Sequence, residues 1–118
     1  MELSLELLRE GSFRKEAGRL GLSQDLPADA AVNVYSLASL PPLLARFGNR
    51  GYRAAQLEGG ITGGRLYLTA YAERFGASGL TFFDDEVGEF FSPHAAGKSV
   101  LFLVALGRAD RAVLGLRP

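Results

Sequence analysis

The chain has 118 residues, 47% of them apolar and 22% charged, which suits one folded domain spanning residues 1–118 with a core of its own. Thirteen basic residues balance thirteen acidic ones, so no net field draws nucleic acid or an anionic membrane surface. The chain has no cysteine, which excludes a disulfide framework, thiolate catalysis and cysteine-ligated metal together.

No apolar run reaches the roughly 18 residues of a membrane span, and the start MELSLELLREG carries acids where a signal peptide needs cations. The expectation is a cytoplasmic protein. Leu3, Leu5, Leu7 and Leu8, set among glutamates, predict a short first helix that Gly11 stops. Ser12 is placed to cap a second helix, FRKEAGRL, with Phe13, Ala17 and Leu20 on one side and Gly21 in a left-handed C-terminal turn. Ser23 to Asp29, with Pro27 inside it, reads as a turn-rich connector. AAVNVYSLA then has the β-branched and aromatic content of a buried strand. Ser39 before Leu40-Pro41-Pro42 predicts a capped helix through LLARF, ended by Gly48-Asn49.

The forty residues from Tyr52 to Phe91 organise the rest. Leu57, Ile61, Leu68, Ala72 and Phe75 recur at helical steps with Gly64 between them, so one face of a central helix is apolar. A second stripe, Ala55, Gly59, Gly63 and Ala70, is nearly bare of side chains. Each glycine costs an exposed helix about 1 kcal/mol relative to alanine. Glycines at this density therefore predict close approach by a backbone or a flat ligand. After the helix, Gly76 to Gly79 read as a turn and Leu80-Thr81-Phe82-Phe83 as a short buried strand. Asp84 or Asp85 is expected to cap a helix DEVGEFF that Ser92-Pro93 breaks. SVLFLVALG, uninterrupted and apolar, predicts a central strand buried on both faces, and Ala112–Leu116 a further strand.

Several local patterns imitate chemistry. Ala96-Gly97-Lys98-Ser99 resembles the end of a phosphate-binding loop, yet Ser92 stands where that motif needs a glycine, and a strand follows where it needs a helix. His94, the only histidine, has no spaced partner for zinc or for a catalytic triad and reads as a surface loop residue. Asp84-Asp85-Glu86 point in different directions from one helix start, so capping outweighs a metal site. No metal site and no proton-donating side chain is expected.

The segments LEGGITGGRLYLTAYAERFGASGLTFFDDEV and FFSPHAAGKSVLFLVALG resemble the C-terminal half of the FMN-dependent nitroreductase family, in its SagB-type azoline dehydrogenase branch, over about residues 8–107. GASGLTFFDDEV, residues 76–87, is the most specific piece. The resemblance implies an α+β, partial nitroreductase-like fold with a mixed or antiparallel sheet on a central helix, assembled as an intertwined homodimer. It implies FMN held near Gly79, Leu80, Thr81 and Phe82, with the amide of Thr81 or Phe82 nearest the reactive ring nitrogen. Such an amide would stabilise the charge that develops on reduction. The family's arginine-rich phosphate-binding helix precedes the matched half, and Arg108 and Arg111 are the replacements matched by location. Two functions follow as expectations: an FMN-dependent oxidoreductase transferring hydride at a dimer-interface site, or a non-catalytic, flavin-free half-domain that dimerises or serves a second polypeptide supplying the missing half.

Overall fold

The computed structural model describes residues 4–109, so Leu3, Arg111 and the strand expected at 112–116 lie outside the described residues. Residues 4–13 contain no helix, and Leu5, Leu7 and Leu8 are exposed. The leucines at 5 and 7 alternate with polar neighbours, a period of two that gives a helix no continuous apolar stripe. The first helix, α1 (Arg14–Leu20), starts after Phe13, which takes the N-cap position without a side-chain bond, so Ser12 does not cap it. The left-handed backbone predicted for Gly21 falls instead on Leu22 (φ 59°) and Ser23 (φ 56°). Packing explains the glycine: a Cβ at position 21 would stand 2.5 Å from Pro27 Cγ. Pro27 itself belongs to a single helical turn, α2 (Asp25–Asp29), inside the predicted connector.

β1 (Val32–Ala38) and α3 (Leu40–Phe47) fall where the sequence places them. Ser39 occupies the N-cap without a side-chain hydrogen bond, and Gly48 ends α3 at φ 60°. α4 (Asn49–Ala72) is the central helix, 24 residues long. β2 spans Gly76–Leu80, so the predicted turn is itself the strand, and of the expected Leu80–Phe83 strand only Leu80 remains in the sheet. The pairing partner decides this: β3 (Ser99–Gly107) offers Gly107 to Leu103 opposite Gly76 to Leu80, and Thr81 to Phe83 peel away to enter α5 (Asp84–Phe90). The turn into α5 is held by the Phe83 amide, which donates to Leu20 O at 3.0 Å. Phe83 is also the N-cap, so Asp84, Asp85 and Glu86 lie in the first turn, where their charge still complements the helix dipole.

The sheet is antiparallel throughout, with order β1-β3-β2, which makes the apolar run Ser99–Gly107 the central strand. α4 packs on β3 and β2. On the other side, Leu20 of α1, Val87 of α5 and Val100 of β3 form a core cluster with Tyr35, Leu37, Phe82, Phe90 and Phe91 packed around it. The β1–β3 register shifts where Ser36 faces Phe102 and Leu37 faces Val100, leaving Leu101 without a partner. Such a bulge re-aims side chains. Here both Leu101 and Phe102 meet α4.

Candidate functional site

Two stripes of α4 have opposite fates. Ala55, Gly59, Gly63 and Ala70 are buried, and the close approach expected of the bare stripe is made by this chain's own sheet. A Cβ at Gly59 would meet Leu101 Cβ at 3.3 Å. One at Gly63 would lie 2.7 Å from Phe102 Cδ1 and nearer still to Cε1. The same ring reaches across to β2, where a Cβ at Gly79 would be 2.9 Å from Phe102 Cζ. Phe102 is thus wedged between two glycines on two elements.

The apolar stripe faces away from the sheet: Leu57 is 69% exposed, Ile61 49% and Leu68 71%. Between them Gly60 and Gly64 have nothing among the described residues within 4 Å of an added Cβ. A helix apolar on both sides belongs in a buried setting. A sheet covers one side of α4, and the other lies open among the described residues.

The expected cofactor residues are dispersed by the fold. Gly79 lies in β2 under Phe102, and its amide donates to the Tyr67 hydroxyl of α4. Leu80, half-buried, ends β2 opposite Leu103. Thr81 is exposed, whereas Phe82 turns inward onto the Leu20–Val87–Val100 cluster. Among the described residues β2 is an edge strand, so apart from the Gly79 amide, which Tyr67 engages, it presents backbone groups beyond its ladder with β3 that another chain or a planar molecule could use. Arg108 is exposed just past Gly107, which pairs with Gly76, at the end of β2 away from Leu80. At ~3.4 Å per residue, the six residues from Phe75 to Thr81 put about 20 Å between Arg108 and Thr81. Arg19 is brought toward Thr81 by the Leu20–Phe83 hydrogen bond, but Glu86 engages its guanidinium.

The ring half of FMN therefore fits these residues better than its phosphate half. Small residues and an open strand edge suit a flat ring, while a phosphate dianion needs several charge-assisted donors. Tyr67, Phe102 and the Arg19–Glu86 pair were not singled out by sequence. The one usable signal was Phe102, the single aromatic in an aliphatic strand opposite a glycine-bearing helix. The imitation of a phosphate loop dissolves as expected: Gly97 has φ +72° and β3, not a helix, follows at Ser99. His94 is exposed. Among the described residues no group of histidines and carboxylates could hold a metal, and no helix is long and apolar enough to cross a membrane.

These features define an α+β fold of the nitroreductase-like kind, a central helix laid on an antiparallel sheet. The particular likeness is to a crystal structure from Anabaena variabilis, provisionally assigned as a nitroreductase, with 35% identity over 87% of this chain and a TM-score of 0.80. This chain spans 21% of that protein's length. No protein-family model and no curated protein matches the chain.

Proposed function

We propose that the protein is an FMN-dependent oxidoreductase of the nitroreductase kind, in the SagB-type branch, working as a homodimer with its flavin between chains. The observation that carries this reading is the 35% identity, over 87% of the chain, to a structure provisionally assigned as a nitroreductase. FMN, when bound, supplies hydride transfer; this chain's part is to bind and orient it. Thr81, exposed just past the end of β2, offers its backbone amide as a donor to the ring. The inward anchoring of Phe82 and the Tyr67 hydroxyl on Gly79 fix that backbone. Preorganised donors of this sort stabilise charge as it develops without having to reorient.

The outward face of α4 supports the homodimer. Leu57, Ile61 and Leu68 offer an apolar strip, and Gly60 and Gly64, four apart on that face, allow a second helix to cross closely. Since Arg108 stands about 20 Å from Thr81 by strand rise, phosphate binding is assigned to groups beyond this ring-binding segment, Arg108 or Arg111 of a second copy among them.

A specific observation also favours the non-catalytic reading: the chain spans 21% of the nitroreductase-like protein it matches, so the likeness extends to only part of what that protein contains. Visible absorption and FMN fluorescence of the purified protein, with mass measured by light scattering, separate the two. The oxidoreductase reading expects a yellow dimer that quenches added FMN. A protein that neither carries nor quenches flavin defeats the oxidoreductase reading and supports the half-domain, as a dimer or as a subunit for a second polypeptide, and bound flavin defeats the half-domain.

A further inference from the structure

The C-terminal end of α5 and the loop after it meet the segment before α1 at an open cleft of about 240 Å³. Phe13, Phe90, Phe91 and Pro93 give it apolar walls, and its polar side chains are those of Arg9, Ser92 and His94. The rings brace one another edge to face, Phe13 against Phe90 at 5.7 Å and Phe90 against Phe91 at 4.9 Å. The loop that carries His94 is anchored at the next residue: Ala95 is buried, and its amide donates to Phe91 O at 3.0 Å. Ser92 Oγ donates to Gly88 O at 2.7 Å, which leaves Arg9 and His94 as the donors available to a molecule in the cleft.

The Arg9 guanidinium carbon stands 4.4 Å from the ring centroid of Phe13 and 5.2 Å from that of Phe90. Both rings line the cleft, so they hold the cation at its wall. Such contacts order the side chain without supplying a hydrogen-bond acceptor. Among the described residues Arg9 has no ion-pair partner and no carboxylate lines the cleft. Arg9 and His94 are both exposed, so a molecule seated there can reach them. An arginine presents its N–H groups as a fork that matches a carboxylate, and one already held by its neighbours loses less freedom on pairing.

We propose that this cleft binds a small aromatic monocarboxylate. Its ring lies against Phe90, Phe91 and Pro93, its carboxylate accepts from the Arg9 guanidinium, and the His94 ring gives a second hydrogen bond. Sites for drug-sized ligands start at about 300 Å³, so this smaller cleft suits a single ring. A cation meets Arg9 with no counter-charge beside it, an inorganic anion leaves the aromatic walls uncovered, and a neutral aromatic leaves the guanidinium unpaired. None of the residues assigned to flavin lines the cleft, so the site stands apart from that reading.

Benzoate is the probe, with benzamide as the neutral control and inorganic phosphate as the anion without a ring, each titrated into the full chain and followed by NMR. Benzoate is expected to bind at least tenfold more tightly than either control, with intermolecular NOEs to Phe90 and Pro93. Arg9→Gln should weaken benzoate about tenfold, through loss of charge-assisted hydrogen bonds, and leave benzamide unchanged. His94→Ala should weaken benzoate about fivefold, as one net hydrogen bond would. Melting of each variant checks that it is folded, and the comparison of the three probes on the unaltered chain needs no variant. Benzamide or phosphate binding as tightly as benzoate, NOEs elsewhere, or benzoate affinity unchanged in either variant would each overturn the proposal and leave Arg9 as a brace for the rings.

Discussion

Replacing Gly63 and Gly64 by alanine, one at a time, should move stability in opposite directions although the residues are adjacent on one helix. At Gly63 the new methyl meets the Phe102 ring, with Cδ1 2.7 Å away. That ring cannot simply swing aside, because Gly79 lies against its far end, with 2.9 Å from Cζ to an added Cβ. Overpacking of this kind costs about 1–3 kcal/mol. Alanine recovers about 1 kcal/mol of helix propensity, so a net loss of about 0–2 kcal/mol remains. At Gly64 nothing among the described residues lies within 4 Å, so the propensity gain of about 1 kcal/mol stands alone in the isolated chain. The two melting temperatures should separate by about 4 °C for each kcal/mol between them. Adding Phe102→Leu should restore much of what Gly63→Ala loses, giving a coupling of roughly 1 kcal/mol in a double-mutant cycle. Melting at dilute protein concentration reads the monomer. If Gly63→Ala stabilised as much as Gly64→Ala, or showed no coupling to Phe102, the wedge would not explain the glycine.

Leu57→Glu combined with Leu68→Glu should abolish dimerisation, because covering each leucine contributes about 1.5–3 kcal/mol and a charge there would be buried unpaired; light scattering showing an unchanged dimer rejects the α4 interface. Gly64→Ala, stabilising when dilute, should weaken the same association, and an unaltered dimer constant would mean no helix crosses there. Arg19→Ala should cost at most about 1 kcal/mol, since both partners of the Arg19–Glu86 pair are substantially exposed; a urea midpoint shift equivalent to several kcal/mol would contradict that. Tyr35 has its folded pKa raised above 10.0 by desolvation, so the unfolded chain loses this proton first as pH rises. Its contribution is intact below about pH 10 and declines above it, and Tyr35→Phe should flatten that part of the stability profile. Identical alkaline profiles for the two proteins would show that the phenol titrates freely.

The sequence was most legible where one period ruled a long segment. α4 and β3 lie where the helical repeat and the unbroken apolar run put them. It was least legible where two segments competed for one partner. Leu80-Thr81-Phe82-Phe83 has better strand residues than Gly76-Ala77-Ser78-Gly79, yet the latter pairs with β3, because only a small residue at 79 tolerates the Phe102 ring. That constraint comes from a residue 23 positions later, and local propensity cannot register it. The caps failed for a related reason. Ser12 and Asp84 were placed by residue type, while Phe13 and Phe83 take the N-cap positions, and Phe83 is tied there by Leu20 O. For the candidate site, Thr81 is exposed, but Gly79 is covered by Phe102 and Tyr67 and the fold carries Arg108 to the opposite end of β2. Strand direction decides that separation, and it could not be read before the pairing was known.

The mid-chain glycines therefore belong to two classes that the sequence merges into one. Gly59 and Gly63 are explained within the chain, since Leu101 and Phe102 press on them and the bulge in β3 aims both side chains there. Gly60 and Gly64, one position on in each case, are turned about 100° round the helix to the outward face, where no atom of the described residues accounts for them. Two exposed glycines in mid-helix cost about 2 kcal/mol together relative to alanine, on the same face as three largely exposed aliphatic side chains. A lone subunit derives no benefit from either feature. A second helix laid across Gly60 and Gly64 would account for both, bringing backbones close at the glycines while Leu57, Ile61 and Leu68 are covered on either side.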